Sequence, residues 1–154
     1  MNEILRAPRH VLEVPDALQQ EFEKYRNRWS PYGPTIQVRQ ETVDGFTALT
    51  GDDNPIHTAS AEVPYLPGFL TLSLMPKLLE QKLPMQVPGR RLWNVGVTCR
   101  FARPVPVGAG ICMRYRGVTL LPDRMSLKPL FDFEIAFADT KKNVVEGQIH
   151  LRLV

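Results

Sequence analysis

The sequence predicts an α+β domain in which an antiparallel sheet packs on one central helix. Residues 67–83 would be apolar on nearly all sides of a helix, which is typical of a buried helix. The chain after residue 91 consists of strand-like segments joined by short links, and "FDFEIAF" (131–137) alternates as a half-buried strand does. Helices followed by hairpin-linked strands favour a sheet that packs on a helix.

Composition indicates one domain with a buried core, because 44% of the 154 residues are hydrophobic. The net charge of +3 comes from 19 basic and 16 acidic residues scattered along the chain. This pattern does not favour nucleic acid, but it suits an anionic small molecule or an acidic carrier protein. No stretch reaches the length of a membrane span, and "MNEILRAPRH" lacks the apolar core of a signal peptide. We therefore expect no membrane partner and a cytoplasmic location.

Cysteine and histidine positions predict no metal site. Cys99 and Cys112 lie in strand-like stretches without the spacing of a metal or redox motif, so we interpret them as buried, reduced residues. His10 and His150 have no cluster of carboxylates or cysteines near them in the sequence.

The segment "PDALQQEFEKYRNRW" (15–29) predicts a helix whose apolar residues fall on one face. These residues are Leu18, Phe22, Tyr25 and Trp29. We interpret residues 1–34 as an N-terminal extension with one helix, and residues 35–154 as a single domain. We recognise no catalytic or binding motif in this extension.

A short strand (35–39) and a short helix (40–51) begin the predicted domain. The inward positions expected for this helix are Val43, Phe46 and either Leu49 or Thr50, and Gly51 would end it. "GDDNPIH" (51–57) therefore lies on the loop just past a helix end. Pro55 fixes its own backbone and disfavours helix at the residue before it.

This turn has a direct consequence for two ionisable residues. It can bring Asp52 and His57 round to a common point, and Asn54 can bond its own backbone within it. Asp53 is interpreted as a solvated turn residue.

Three stretches resemble, in order, the MaoC-like branch of the hot-dog fold, which includes (R)-specific enoyl-CoA hydratases and NodN-like proteins. They are "VRQETVDGFTALTGDDNPIHTASA", "PGFLTLSLMPKLL" and "WNVGVTCRFARPVPVGA". The most specific signal is Gly-Asp-x-Asn-Pro-[Ile/Leu]-His, matched by residues 51–57. The resemblance implies a sheet wrapped around one long central helix. It also implies a homodimer whose sheets join edge to edge, with an acyl-thioester tunnel near the interface.

The resemblance places the catalytic pair on Asp52 and His57. Adding water to a 2-enoyl thioester requires one proton to be removed from water and another to be delivered to the α-carbon, and histidine titrates near neutral pH. A backbone N–H at the start of the central helix, on Gly68, would stabilise charge on the thioester oxygen. We assign Asn54, Pro67 and Phe69 to substrate binding.

Three departures from the family pattern concern the substrate channel. Pro67 stands where members usually have histidine, and Ala59 stands where an acidic residue is often found. The segment 58–66 is shorter than usual, which implies a wider or differently shaped entrance.

The resulting hypothesis is a hydro-lyase acting on 2-enoyl or 3-hydroxyacyl thioesters without a metal or redox cofactor. Coenzyme A or phosphopantetheine would enter as part of the substrate, and an acyl carrier protein is a candidate partner. Four arginines either meet those phosphates or form a solvated strand face: Arg90, Arg91, Arg100 and Arg103. Two alternatives stay open, a catalytically silent ligand-binding protein and a dehydratase or thioesterase acting on a carrier-bound intermediate.

Overall fold

The structure is a computed structural model that describes residues 14–83, 89–122 and 126–154. Its helices are α1 (Asp16–Lys24), α2 (Gln40–Thr50), α3 (Gly68–Ser73) and α4 (Met75–Glu80), with a 3₁₀ turn at Pro55–His57. Its strands are β1 (Ile36–Gln37), β2 (Leu92–Phe101), β3 (Gly110–Pro122), β4 (Leu127–Phe137) and β5 (Asn143–Leu153). His10 lies outside the described residues.

The five strands form one antiparallel sheet in the order β1-β3-β4-β5-β2. The strand-like chain predicted after residue 91 begins with β2, and "FDFEIAF" is the second half of β4. Phe131, Phe133 and Ile135 are buried, while Asp132 and Glu134 between them are partly exposed, as the alternation predicts. The predicted α+β class is confirmed.

The central helix is divided into α3 and α4 at Leu74. Pro76 has no N–H to donate to the preceding turn, and its ring crowds that turn. The Leu74 N–H donates to the Thr71 carbonyl over 3.4 Å, which tightens the chain at the break. Leu70, Met75, Leu78 and Leu79 are buried in the core.

Burial of the central segment is not complete. Phe69 is 72% exposed and packs edge-to-face on Phe101 of β2, with ring centroids 5.9 Å apart. The prediction of a helix buried on nearly all sides is therefore wrong at this residue. Its side chain points toward the open edge of the sheet and away from the core.

Helix α1 ends at Lys24, five residues before the predicted end at Trp29. The chain then follows β3: the Gly117 N–H donates to the Tyr25 carbonyl, and the Asn27 N–H donates to the Gly117 carbonyl, both over 3.0 Å. Asn27 has a φ of 56°, which a right-handed helix does not allow. Pairing with the strand thus replaces the last predicted turn.

Two aromatic residues after this turn pack on an arginine of β3. The Arg114 guanidinium carbon lies 4.8 Å from the Trp29 ring centroid and 4.9 Å from the Tyr32 ring centroid. The Tyr32 hydroxyl donates to Glu134 over 2.7 Å, and burial together with this bond raises the pKa of Tyr32 to about 12.

Leu18 and Phe22 of α1 are fully buried. The division into residues 1–34 and 35–154 stays a prediction.

Helix α2 begins and ends as predicted, with Gly51 in the left-handed conformation (φ 71°) at its C-terminus. Val43 is buried and Phe46 is partly buried, but Leu49 is 85% exposed and Thr50 is exposed. The inward position predicted for Leu49 or Thr50 is therefore wrong. Leu49 lies about 120° around the helix from Val43, and Thr50 lies on the last turn, where the helix leaves the core.

The two cysteines are free: Cys112 is buried and Cys99 is partly buried. Among the described residues, no helix has the length and apolar character required to cross a membrane. A cytoplasmic location stays a prediction.

Gly117 provides the space in which α1 packs on the sheet. A Cβ at this position would lie 2.8 Å from the Phe22 ring, which is fully buried and held against Phe131 with centroids 5.5 Å apart. We expect Gly117→Ala to lower the free energy of unfolding by about 1–3 kcal/mol through overpacking, measured by urea denaturation. Gly45→Ala is the control, because a Cβ there meets nothing within 4 Å and alanine favours the helix. Equal stability of the two variants would contradict this packing.

Candidate active site

The turn after α2 is built from two side-chain bonds to the backbone. The Asp52 Oδ1 atom accepts from the Asn54 N–H over 3.2 Å, and the Asn54 Oδ1 atom accepts from the Ile56 N–H over 3.3 Å. Asn54 is thereby the N-cap of the 3₁₀ turn Pro55–His57, and its extended backbone (ψ 119°) suits the proline that follows. These bonds bend the chain so that it folds back past the end of α2.

The bend brings the side chains of Asp52 and His57 together. The His57 Nε2 atom lies 3.5 Å from the Asp52 Oδ2 atom. This separation exceeds that of an ordinary hydrogen bond, about 2.7–3.2 Å. His57 is buried, with 10% of its side chain exposed, and the Asp52 side chain is 35% exposed, so the carboxylate has more contact with solvent than the imidazole.

A backbone hydrogen bond fixes which nitrogen of His57 carries hydrogen. The Nδ1 atom lies 2.8 Å from the carbonyl oxygen of Tyr65. A carbonyl oxygen only accepts, so Nδ1 must be the donor. In the neutral imidazole, Nε2 then carries the lone pair and is the atom that can accept a proton. This is the nitrogen that faces Asp52.

Gln40 holds the main chain of His57 in place. Its Nε2 atom donates to the His57 carbonyl over 2.7 Å and to Asp44 Oδ1 over 2.8 Å. Sequence reasoning missed Gln40, which is 17 positions from His57. Tyr65 was also missed, because it acts through a backbone carbonyl that any residue could supply. The only sequence signal was the spacing of Gln40 and Asp44, which suits a pair within one helix.

A cavity of about 620 Å³ lies beside this pair. Its wall includes His57, Tyr65, Gly68, Phe101, Arg103 and Val145. Two of the sequence-predicted site residues, His57 and Gly68, therefore face the same space. Asp52 does not line this cavity, but its carboxylate lies next to His57, which does.

The three residues predicted to bind substrate do not line the cavity wall. Asn54 caps the turn, and Pro67 precedes α3 with a carbonyl that accepts from the Thr71 N–H over 3.1 Å. Phe69 lies outside, against Phe101. A role for these residues in substrate binding stays a prediction.

Gly68 is the first residue of α3, where a backbone N–H has no acceptor within the helix. A Cβ at this position would lie 3.2 Å from the Phe101 ring, so glycine keeps the gap between helix and ring open. The N–H is thus a fixed donor beside the cavity. Among the described residues, no group of three or more His, Cys, Asp or Glu is arranged to hold a metal ion.

The sheet curls around the central helix as in hot-dog proteins, and solved structures of that fold match it. The (R)-hydratase from A. caviae involved in PHA biosynthesis is 24% identical, with a TM-score of 0.61, over 79% of this chain and 92% of that one. An R-hydratase from Pseudomonas aeruginosa is 23% identical, with a TM-score of 0.59, over 79% and 78%. The HadBC (3R-hydroxyacyl-ACP dehydratase) complex from Mycobacterium tuberculosis is 15% identical, with a TM-score of 0.67, over 83% and 96%.

The chain belongs to the family described as "MaoC like domain", whose model matches residues 23–119. This match spans the motif at residues 51–57, the central helix, β2 and most of β3. The predicted family and its hot-dog fold are therefore confirmed. No significantly similar sequence is found among curated proteins.

Proposed function

We propose that this protein adds or removes water at a 2-enoyl or 3-hydroxyacyl thioester, with Asp52 and His57 as the acid–base pair. The observation that carries this proposal is the approach of His57 Nε2 to Asp52 Oδ2, 3.5 Å apart, beside a cavity that also exposes Gly68. Membership of the MaoC-like family supports the same class of reaction. The proposed scheme uses proton transfers alone, without a metal or redox cofactor, and coenzyme A or phosphopantetheine enters as part of the substrate.

In the hydration direction, a water molecule bonds to both His57 Nε2 and the Asp52 carboxylate. Nε2 accepts a proton from this water, and the hydroxide oxygen attacks C3 of the enoyl group. The electron pair of the C2=C3 bond moves to form the enolate of the thioester. The imidazolium then donates the proton to C2, so that one water has been added and both residues have returned to their starting states.

Asp52 and Tyr65 have complementary roles in this cycle. The Tyr65 carbonyl holds the imidazole in the orientation that presents Nε2, and it still accepts from Nδ1 when the ring is charged. The Asp52 carboxylate stabilises that positive charge and orients the water. Dehydration uses the same groups in reverse order.

The acid–base pair is tested with crotonyl-CoA, a short enoyl thioester. We expect Asp52→Asn and His57→Ala each to lower kcat/KM by roughly 100- to 10,000-fold, the usual contribution of positioned proton transfer. Loss of the absorbance of the conjugated thioester measures turnover, and circular dichroism checks that the variants fold. Asp53→Asn is the matched control, because this neighbouring carboxylate has no role in the scheme.

Retained activity in either variant would remove that residue from the mechanism. Binding of acyl-CoA by the unaltered protein without turnover at any chain length would instead favour the silent ligand-binding protein. Release of free thiol would indicate a thioesterase, and turnover only of carrier-bound acyl groups would indicate a carrier-dependent dehydratase.

Two substitutions separate the role of the Gly68 N–H as a donor from the role of the space that glycine leaves beside Phe101. Proline is tolerated at the first position of a helix, and the extended backbone of Pro67 (ψ 137°) suits a following proline. We expect Gly68→Pro, which removes the N–H, to lower kcat by roughly 100-fold more than Gly68→Ala, which adds a Cβ but keeps the N–H. Equal losses in the two variants would show that the space beside Phe101 matters and the donor does not.

We propose that two copies pair through β2, at the edge of the sheet. This strand exposes apolar side chains that a monomer would leave in water: Leu92, Trp93, Val95, Val97 and Phe101. Phe69, 72% exposed, lies against the last of them and extends the apolar surface. A long apolar edge strand is normally covered or paired, since its free backbone groups and side chains otherwise promote association.

Sedimentation equilibrium tests this pairing. We expect the protein to have twice the mass of one chain and Val97→Asp to shift it toward the monomer, because a buried unpaired carboxylate opposes association. Leu49→Asp is the matched control: Leu49 is 85% exposed but lies on α2, outside the sheet. A monomeric protein, or equal dissociation of both variants, would exclude β2 as the interface.

A further inference from the structure

We infer that Arg103 binds the phosphate group of the phosphopantetheine arm at the mouth of the cavity. This inference rests on the proposed function, because it assumes that the ligand is a thioester on such an arm. It adds a residue that recognises the part of the substrate away from the reacting carbons.

Arg103 lies on the rim of the cavity that contains His57 and Gly68. It follows β2 on the loop that begins at Ala102, and the residue is exposed, so its guanidinium is in contact with solvent. The Nη1 atom donates to the Asn143 carbonyl over 2.7 Å, which anchors one corner of the guanidinium beside β5. The group is therefore held at the rim and does not fill the cavity.

The charge of Arg103 is not neutralised as that of neighbouring arginines is. Arg100 pairs with Glu146 and Arg116 with Asp132 on the outer face of the sheet. Within the described residues, no carboxylate lies within 4.0 Å of Arg103, and neither Asp nor Glu lines the cavity. A guanidinium has five N–H donors, and the bond to Asn143 uses one of them.

The ligand group that suits this position is a phosphate. A thioester carbonyl beside His57 and Gly68 requires the rest of the arm to leave through the mouth, where the exposed guanidinium lies. Coenzyme A and carrier proteins both present the acyl group on an arm that carries a phosphate. Arginine binds such an anion through two parallel N–H donors, which a lysine cannot reproduce.

Binding of two saturated thioesters, which cannot be hydrated, tests this inference by isothermal titration calorimetry. Butyryl-CoA carries the phosphates and butyryl-pantetheine does not. We expect Arg103→Ala to weaken butyryl-CoA binding about 10-fold, as loss of a charge-assisted bond does, and to leave butyryl-pantetheine binding unchanged. Arg103→Lys should have an intermediate effect. Arg100→Ala is the matched control and should bind both ligands as the unaltered protein does.

Salt provides a second measurement that a purely structural role would not change. The affinity of the unaltered protein for butyryl-CoA should fall as salt screens the contact, and the Arg103→Ala variant should show a weaker dependence. Equal loss of binding for both thioesters would overturn the inference in favour of a role for Arg103 in shaping the loop. A loss confined to succinyl-CoA, whose acyl chain ends in a carboxylate, would assign Arg103 to the acyl group and overturn the phosphate assignment.

Failure of the proposed function gives a different result. If enoyl-CoA binds and is not converted, the acid–base scheme fails while the dependence of butyryl-CoA binding on Arg103 still stands. If the unaltered protein binds neither butyryl thioester, the inference about Arg103 is overturned directly.

Discussion

The hydrogen bond from His57 Nδ1 to the Tyr65 carbonyl is the constraint on which the candidate site depends. If the ring rotated, this bond would be lost and the lone pair on Nε2 would no longer face Asp52. The carbonyl is itself held in place, since the Tyr65 N–H donates to the Ile56 carbonyl over 2.9 Å and the Leu66 N–H donates to the Val105 carbonyl over 2.8 Å. The reactive nitrogen is therefore positioned by backbone groups of the motif itself and of the chain near Val105.

Residues 58–66, between the motif and the central helix, have a structural role that the sequence did not predict. From the sequence, the shortness of residues 58–66 predicts a wider or differently shaped entrance to the substrate channel. In the structure their last residues bond back to the motif and forward to the 102–107 loop, where the Val107 N–H also donates to the Pro64 carbonyl over 2.8 Å. This short segment thus connects the motif, the 102–107 loop and the start of the central helix, and its hydrogen bonds to the first two are made by main-chain atoms.

The sequence predicted those features that are encoded by side-chain pattern. Alternation located β4, and the order Gly-Asp-x-Asn-Pro-Ile-His located the bend and its two ionisable groups. Features set by distant backbone contacts were not predictable: α1 stops at Lys24 because the next residues pair with Gly117, and Gln40 reaches His57 across 17 positions. The exposure of Leu49 and Phe69 was not predicted, because the identity of an apolar residue does not tell whether it packs in the core or lies on an outer surface.

Phe101 belongs to two parts of the molecule at once. Its ring closes the space above Gly68, and its strand is the outer edge of the sheet. If two copies join along that edge, the ring becomes enclosed from the far side, and the shape of the reaction chamber is completed only in the assembled form. Specific activity would then decline on dilution, so enzyme concentration would set catalytic output through assembly as well as through the number of sites.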